Sequence, residues 1–120
     1  MHLELNVSCK NLIKMDLYKN SDPMIVLFEE SPDGWLRIDR TEVIKDNANP
    51  QFKDKFIVVY DFKKDSSYKF RVYDVDDFEN IDDLEEQDFI GEATISLHEI
   101  VSVHDETLDK KLKNDENIRI

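Results

Sequence analysis

The chain is short of the residues that punctuate or cross-link a fold: among 120 residues there are two glycines, three prolines and one cysteine. With Cys9 alone, no internal disulfide can form, which points to a reducing compartment. The alternation around Cys9 puts its thiol on an apolar strand face, where a buried, inert side chain is expected. Gly34 and Gly91 stand apart in the chain, so no glycine-rich loop is available to cradle a phosphate. No apolar run approaches the ~20 residues that a spanning helix needs. The N-terminal Met-His-Leu-Glu-Leu-Asn-Val alternates where a secretory signal would be continuously apolar. His2, His98 and His104 have no metal spacing, and neither an activated serine nor a Cys–His pair marks an enzyme. These absences predict a non-enzymatic, cytoplasmic domain.

Basic residues are missing where the acids are densest. From Asp74 to Asp88, fifteen residues carry nine carboxylates and no lysine or arginine. The formal net charge is −12, and this run supplies −9 of it, so the other 105 residues sum to −3. The chain has one acidic pole and is otherwise near balance. Its sign argues against nucleic acid as a partner, because phosphate contact needs basic surface. Carboxylates held ~5 Å apart repel by roughly 3 kcal/mol per pair at an effective dielectric of about 20. Such a loop either splays into water or closes on a cation.

What is present in quantity is period-two alternation. Leu3, Leu5, Val7 and Cys9 share one face of a first strand. Met24 to Phe28 is a continuous apolar run after Pro23, read as a second strand. Ser31-Pro-Asp-Gly34 is a turn signal that hairpins it into a third, from Trp35 to about Ile44. Phe52, Phe56, Val58 and Tyr60 mark a fourth strand, Tyr68 to Tyr73 a fifth, and Phe89 to Leu97 a sixth. Ser96-Leu-His-Glu99 has capping-box spacing and predicts a short helical turn over 97–103. Thr107 to Leu112 and Asn117 to Ile120 complete eight short strands, which predicts an all-β, antiparallel β-sandwich forming one domain over 1–120.

A second group of acids lies in the loop after the first strand, at Asp16 and Asp22, beside the apolar Leu17 and Tyr18. If the loops after the first and fifth strands emerge at one end, Asp16 and Asp22 face Asp74, Asp76 and Asp88. Calcium takes six to eight oxygens at about 2.3–2.6 Å, a demand that carboxylates plus the carbonyls of Leu17 and Val75 can meet for two ions. Magnesium prefers fewer carboxylates and retained waters, and zinc wants thiolate or clustered histidine. An EF-hand is the nearest rival, with Asp74, Asp76, Asn80, Asp82 and Glu85 at the ligating spacing. However, Glu79 stands where that loop needs glycine, and a strand precedes it.

Asp16 with Ser21-Asp-Pro23, Asn49-Pro-Gln-Phe52, Tyr73-Asp-Val-Asp76 and Asp88-Phe-Ile-Gly91 occur in an order that resembles the C2 domain family. Asn6-Val-Ser-Cys-Lys-Asn-Leu12, Arg40-Thr-Glu-Val-Ile-Lys45 and Leu97-His-Glu-Ile-Val101 look most like the first C2 domain of copines. The resemblance implies an eight-stranded sandwich of type II strand order that binds calcium at one end and docks on anionic phospholipid. It carries the five ligand aspartates onto Asp16, Asp22, Asp74, Asp76 and Asp88, with Glu79 as an auxiliary ligand. The acidic loop is longer than the usual pattern, so Asp82 and Asp83 are rival candidates for the last position.

In the same reading, Leu17, Tyr18, Phe78 and Ile81 are membrane-inserting tips, each giving roughly 1.5–3 kcal/mol when fully buried. Arg37, Lys53 and Lys55 are a candidate phosphoinositide strip across the third and fourth strands, with an ordinary mixed-charge surface as the alternative because Asp39 and Asp54 interrupt it. The expected partner is an anionic membrane surface, reached on a calcium rise by a monomer that is either a module of a larger protein or a free-standing relative. The alternative is a C2 domain that binds a protein partner, with calcium structural or not needed. The acids left over, Asp77, Asp82, Asp83, Glu85 and Glu86, exceed what two ions need.

Overall fold

The computed structural model describes residues 2–14, 17–61, 63–102, 108–113 and 116–120. Its strands are β1 (His2–Leu5), β2 (Ser8–Lys10), β3 (Pro23–Ser31), β4 (Gly34–Arg40), β5 (Phe56–Val59), β6 (Ser67–Asp74), β7 (Asp88–Ser96), β8 (Asp109–Lys113) and β9 (Glu116–Arg119). One short helix, α1 (Leu97–Ser102), follows β7. Ser96 Oγ accepts from the Glu99 N–H at 3.1 Å, the cap that the sequence spacing implied. Val103, His104 and Thr107 lie outside the described residues. No helix among those described is long and apolar enough to cross a membrane.

All pairings are antiparallel. One layer has the order β4-β3-β6-β7; the other consists of β1 with β5 and β2-β9-β8. The first strand is therefore interrupted, which gives nine strands among the described residues where eight were expected. The break at Asn6-Val7 coincides with a change of partner. Here the loop at 50–52 inserts its own bonds, Phe52 N–H to the Val7 carbonyl at 3.2 Å and Cys9 N–H to the Pro50 carbonyl at 2.9 Å. The architecture is the expected β-sandwich.

Between the layers lie Leu5, Val7, Cys9, Ile25, Leu27, Phe56, Val58, Phe70, Val72, Ile95 and Ile118, all buried. Burial pushes the Cys9 thiol far above its usual range, with Glu116 adding to the shift, so it stays protonated and unreactive. Gly91 is required by packing: a Cβ there would lie 2.9 Å from the Leu112 side chain where β8 crosses β7. Gly34 closes the β3–β4 hairpin at φ +122°, a conformation that other residues rarely adopt.

β3 is apolar on both faces because both are covered. Ile25 and Leu27 face the sandwich interior, whereas Met24 and Val26 form a separate cluster with Tyr73 and Val75 on the outer face. The lid over that second cluster comes from the acidic loop, whose Ile81 and Leu84 pack against it. The loop is thus folded back onto the sheet.

Candidate metal site

Strand register assembles the roots of the site. Pro23 at the start of β3 stands opposite Asp74 at the end of β6, and Asp74 stands opposite Asp88 at the start of β7. Asp22 is joined to Asp74 by its N–H, which donates to Asp74 Oδ1 at 2.8 Å, while Val75 N–H donates to the Asp22 carbonyl at 2.9 Å. Both residues are buried, Asp22 at 2% and Asp74 at 8% exposure. Burial raises the Asp74 carboxyl above its ordinary value. The Asp22 N–H opposes that shift, and the negative charges of Asp22 and Asp88 add to it. Two loops from different parts of the chain thus bring like charges to one end of the sandwich.

Asp22 is anchored on both oxygens. Its Oδ1 accepts from the Asp46 N–H at 2.7 Å, and its Oδ2 from Lys19 Nζ at 2.6 Å. Asp46, at φ 50°, in turn accepts the Asn20 N–H at 2.8 Å. Sequence reasoning missed Asp46, which ties a third loop to the site. Its signal was an acid directly before the Asn47-Ala-Asn-Pro50 turn.

Asp16 lies outside the described residues. Asp76 and Asp88 are exposed, and the backbone N–H of Asp76 is held by Gln87 Oε1 at 2.7 Å. Among the described residues, no three histidine, cysteine or acidic side chains converge tightly enough to hold a metal ion. The donor chemistry still suits a hard cation. Buried carboxylates with mutual repulsion and one ammonium counter-charge form a set that calcium complements better than zinc does.

The middle of the acidic run is arranged differently. Asp77 caps its own turn, accepting the N–H groups of Glu79 (3.0 Å) and Asn80 (3.2 Å) and the Asn80 amide (3.0 Å). The Asn80 amide bond leads in lowering its carboxyl below the usual range. Asp82 receives Arg37 Nη2 at 3.0 Å and Arg40 Nε at 2.6 Å. Asp83 caps the single 3-10 turn Leu84–Glu86 by accepting the Glu85 N–H. Glu79, Glu85 and Glu86 are exposed. Three of the candidate or surplus acids, Asp77, Asp82 and Asp83, therefore hold the loop in shape.

Gln87, also missed from sequence, is the hub of that loop. Its buried Oε1 accepts the N–H groups of Asp76 and Asp77, and its Nε2 donates to the carbonyls of Asp77, Asn80 and Asp83. The signal was a lone amide among carboxylates, able to donate and accept at once.

Leu17 and Tyr18 are 89% and 92% exposed, as a membrane tip requires. Phe78 is partly exposed with Lys45 Nζ 4.8 Å from its ring centre. Ile81 is half-buried and packs on the cluster beneath the loop, where the fold-back turns it toward the sheet. Of the expected strip of Arg37, Lys53 and Lys55, the first and last are associated with different layers. Arg37 lies on β4 in one layer, whereas Lys55 pairs at 3.5 Å with Glu4 of β1 in the other. Lys53 has its N–H on the Glu42 carboxylate at 2.7 Å.

A family model described as C2 domain matches residues 2–114. Protein BONZAI 1 of Arabidopsis thaliana is 40% identical over 120 residues, covering 93% of this chain and 21% of that protein. Among solved structures, BON1-C2B superposes with a TM-score of 0.72 at 21% identity, covering 98% of this chain and 85% of that one. A calcium-bound structure of two C2 domains of Extended-Synaptotagmin 2 superposes at 0.64 with 17% identity, covering 99% of this chain and 46% of that one. The chain spans about a fifth of the curated relative it matches, and it belongs to the C2 domain family.

Proposed function

We propose that this C2 domain is a copine-like, non-catalytic module that binds anionic phospholipid in response to calcium. The observation that carries the reading is the meeting of Asp22 and Asp74, buried and like-charged, next to Asp88 at one end of the sandwich. A bound calcium ion would offset that repulsion and offer open coordination positions to lipid phosphate oxygens. Asp16, Asp22, Asp74, Asp76 and Asp88 are the side chains that would hold it, with the Leu17 and Val75 carbonyls. Lys19 neutralises Asp22 in the resting state, and its ammonium must swing aside. Leu17 and Tyr18 then supply the apolar contact that retains the domain on the membrane.

A second reading draws on the full pairing of Asp22 by Lys19 and Asp46: a calcium-independent domain whose acidic end meets a basic protein partner. Sedimentation with phosphatidylserine vesicles separates the two. The first reading predicts binding in calcium, release by chelator and loss in Asp74→Asn. Vesicle binding that persists in excess chelator, or none in either condition, favours the second.

A further inference from the structure

We propose that Asp82 is a tethered anion that masks the Arg37–Arg40 pair in the resting domain, and that lifting it bares a two-guanidinium site for the phosphate of an anionic lipid headgroup. The proposal rests on the membrane-binding reading above and adds to it a device that sets when the surface is available.

Two arginines from β4 converge on one oxygen, Asp82 Oδ1, at 2.6 and 3.0 Å, and Arg37 Nη1 also grips the Asp82 carbonyl at 2.8 Å. The arginine side chains are 31% exposed and Asp82 is 70% exposed, so the carboxylate lies on the outside of the pair. That is the position a ligand oxygen arriving from solvent would take. Planar guanidinium forks suit carboxylate and phosphate oxygens alike. Exposed ion pairs are weak, so an internal anion of this kind is displaceable.

The surrounding face supports the assignment. Arg71 stacks over Phe89 at 4.2 Å and Tyr73 at 5.5 Å, and its buried Nε has no hydrogen-bond partner, although Glu92 lies 3.5 Å away. Strand register sets Val26 of β3 opposite both Arg40 and Arg71, and Phe28 opposite Arg37, which places these arginines on one face of the sheet. The masking residue sits midway in a segment whose ends are Asp76 and Asp88, with Gln87 clamping both the Asp76 N–H and the Asp83 carbonyl. The segment that carries Asp82 is thus tied through Gln87 to the Asp76 end of the loop.

The test is sedimentation of the wild type, Asp82→Asn, Glu86→Gln and Arg37→Gln/Arg40→Gln/Asp82→Asn with phosphatidylserine vesicles, in chelator and in calcium. Thermal unfolding confirms that each variant folds. Asp82→Asn should bind in chelator roughly three- to tenfold better than the wild type, the scale of an exposed charge network. Glu86→Gln, with the same charge change, should not, and the triple variant should lose the gain. A gain shared equally by Glu86→Gln, a gain that survives loss of the arginines, or no gain overturns the mask. None of these outcomes touches the calcium response of the wild type. A wild type indifferent to calcium beside an Asp82→Asn gain would instead overturn the proposed function and leave the mask standing.

Discussion

At the ends of the acidic run the carboxylates face one another; in its middle the shape-holding ones face donors. Asp74 is buried beside Asp22 and Asp88, and its carboxyl is raised by burial and by that company. Asp77, three residues past the root at Asp74, is partly exposed and lowered by the amide and N–H groups it accepts. The same residue type in one loop thus stores repulsion at the roots and offsets it in the middle. Charge count does not distinguish a binding carboxylate from a structural one, whereas the nature of its partners does.

Breaking the hub should have the largest effect on this contrast. Gln87→Ala removes one buried amide that serves five backbone groups and leaves several without partners. We expect a loss of about 4 kcal/mol in denaturant unfolding, at roughly 1 kcal/mol for each of the four bonds that the carbonyl oxygen and the two amide hydrogens can make, the three carbonyls sharing those two hydrogens. Loosening the lid comes next. Ile81→Ala removes part of the cover over Met24 and Val26 and should cost about 1–2 kcal/mol. An Ile81→Ala variant of unchanged stability but weaker vesicle binding would return Ile81 to the membrane tip.

The smallest effect expected is a pH signature of the roots. The Asp74 carboxyl is raised in the fold, so its protonated form is the one that folding favours. Its contribution to stability is full below the unfolded value and is lost as pH rises through the raised folded value. Without calcium, Asp74→Asn should escape that loss, so the stability difference between variant and wild type should grow in the variant's favour as pH rises above 3.8. Asp77, lowered, works in the opposite sense: its contribution is present above the unfolded value and fades as pH falls through the folded one. Unfolding curves of both proteins across acid pH check the sign.

Much of the fold was legible because strand alternation reports burial locally. Leu5, Val7 and Cys9 are buried as their alternation implied, and β6 and β7 begin and end within a residue or two of the sequence boundaries. The fourth strand was overextended, because Phe52 is buried from a loop and held there by the Val7 carbonyl. The third strand stops at Arg40, where Thr41 takes over: its N–H donates to the Ile25 carbonyl and its Oγ1 accepts from the Ile25 N–H.

At the site, the register that unites Asp22, Asp74 and Asp88 follows from the strands and was readable. The division of labour within the acidic run was not. Whether Asp82 meets solvent, a cation or two arginines depends on residues more than forty positions away, on a strand whose layer no local pattern reveals. The continuous apolar run Met24–Phe28 did contain a hint. A strand apolar on both faces needs two covers, and the acidic loop with its Ile81 and Leu84 is the second.

The central claim, that carboxylates at the roots of this loop form a calcium site coupled to a lipid surface, is tested most directly by calorimetric titration of calcium. It should be run with and without phosphatidylserine vesicles. We expect about two ions per chain and an affinity raised by the vesicles, because lipid and calcium must strengthen each other's binding equally. Absence of calcium binding, or an affinity indifferent to lipid, would contradict the account.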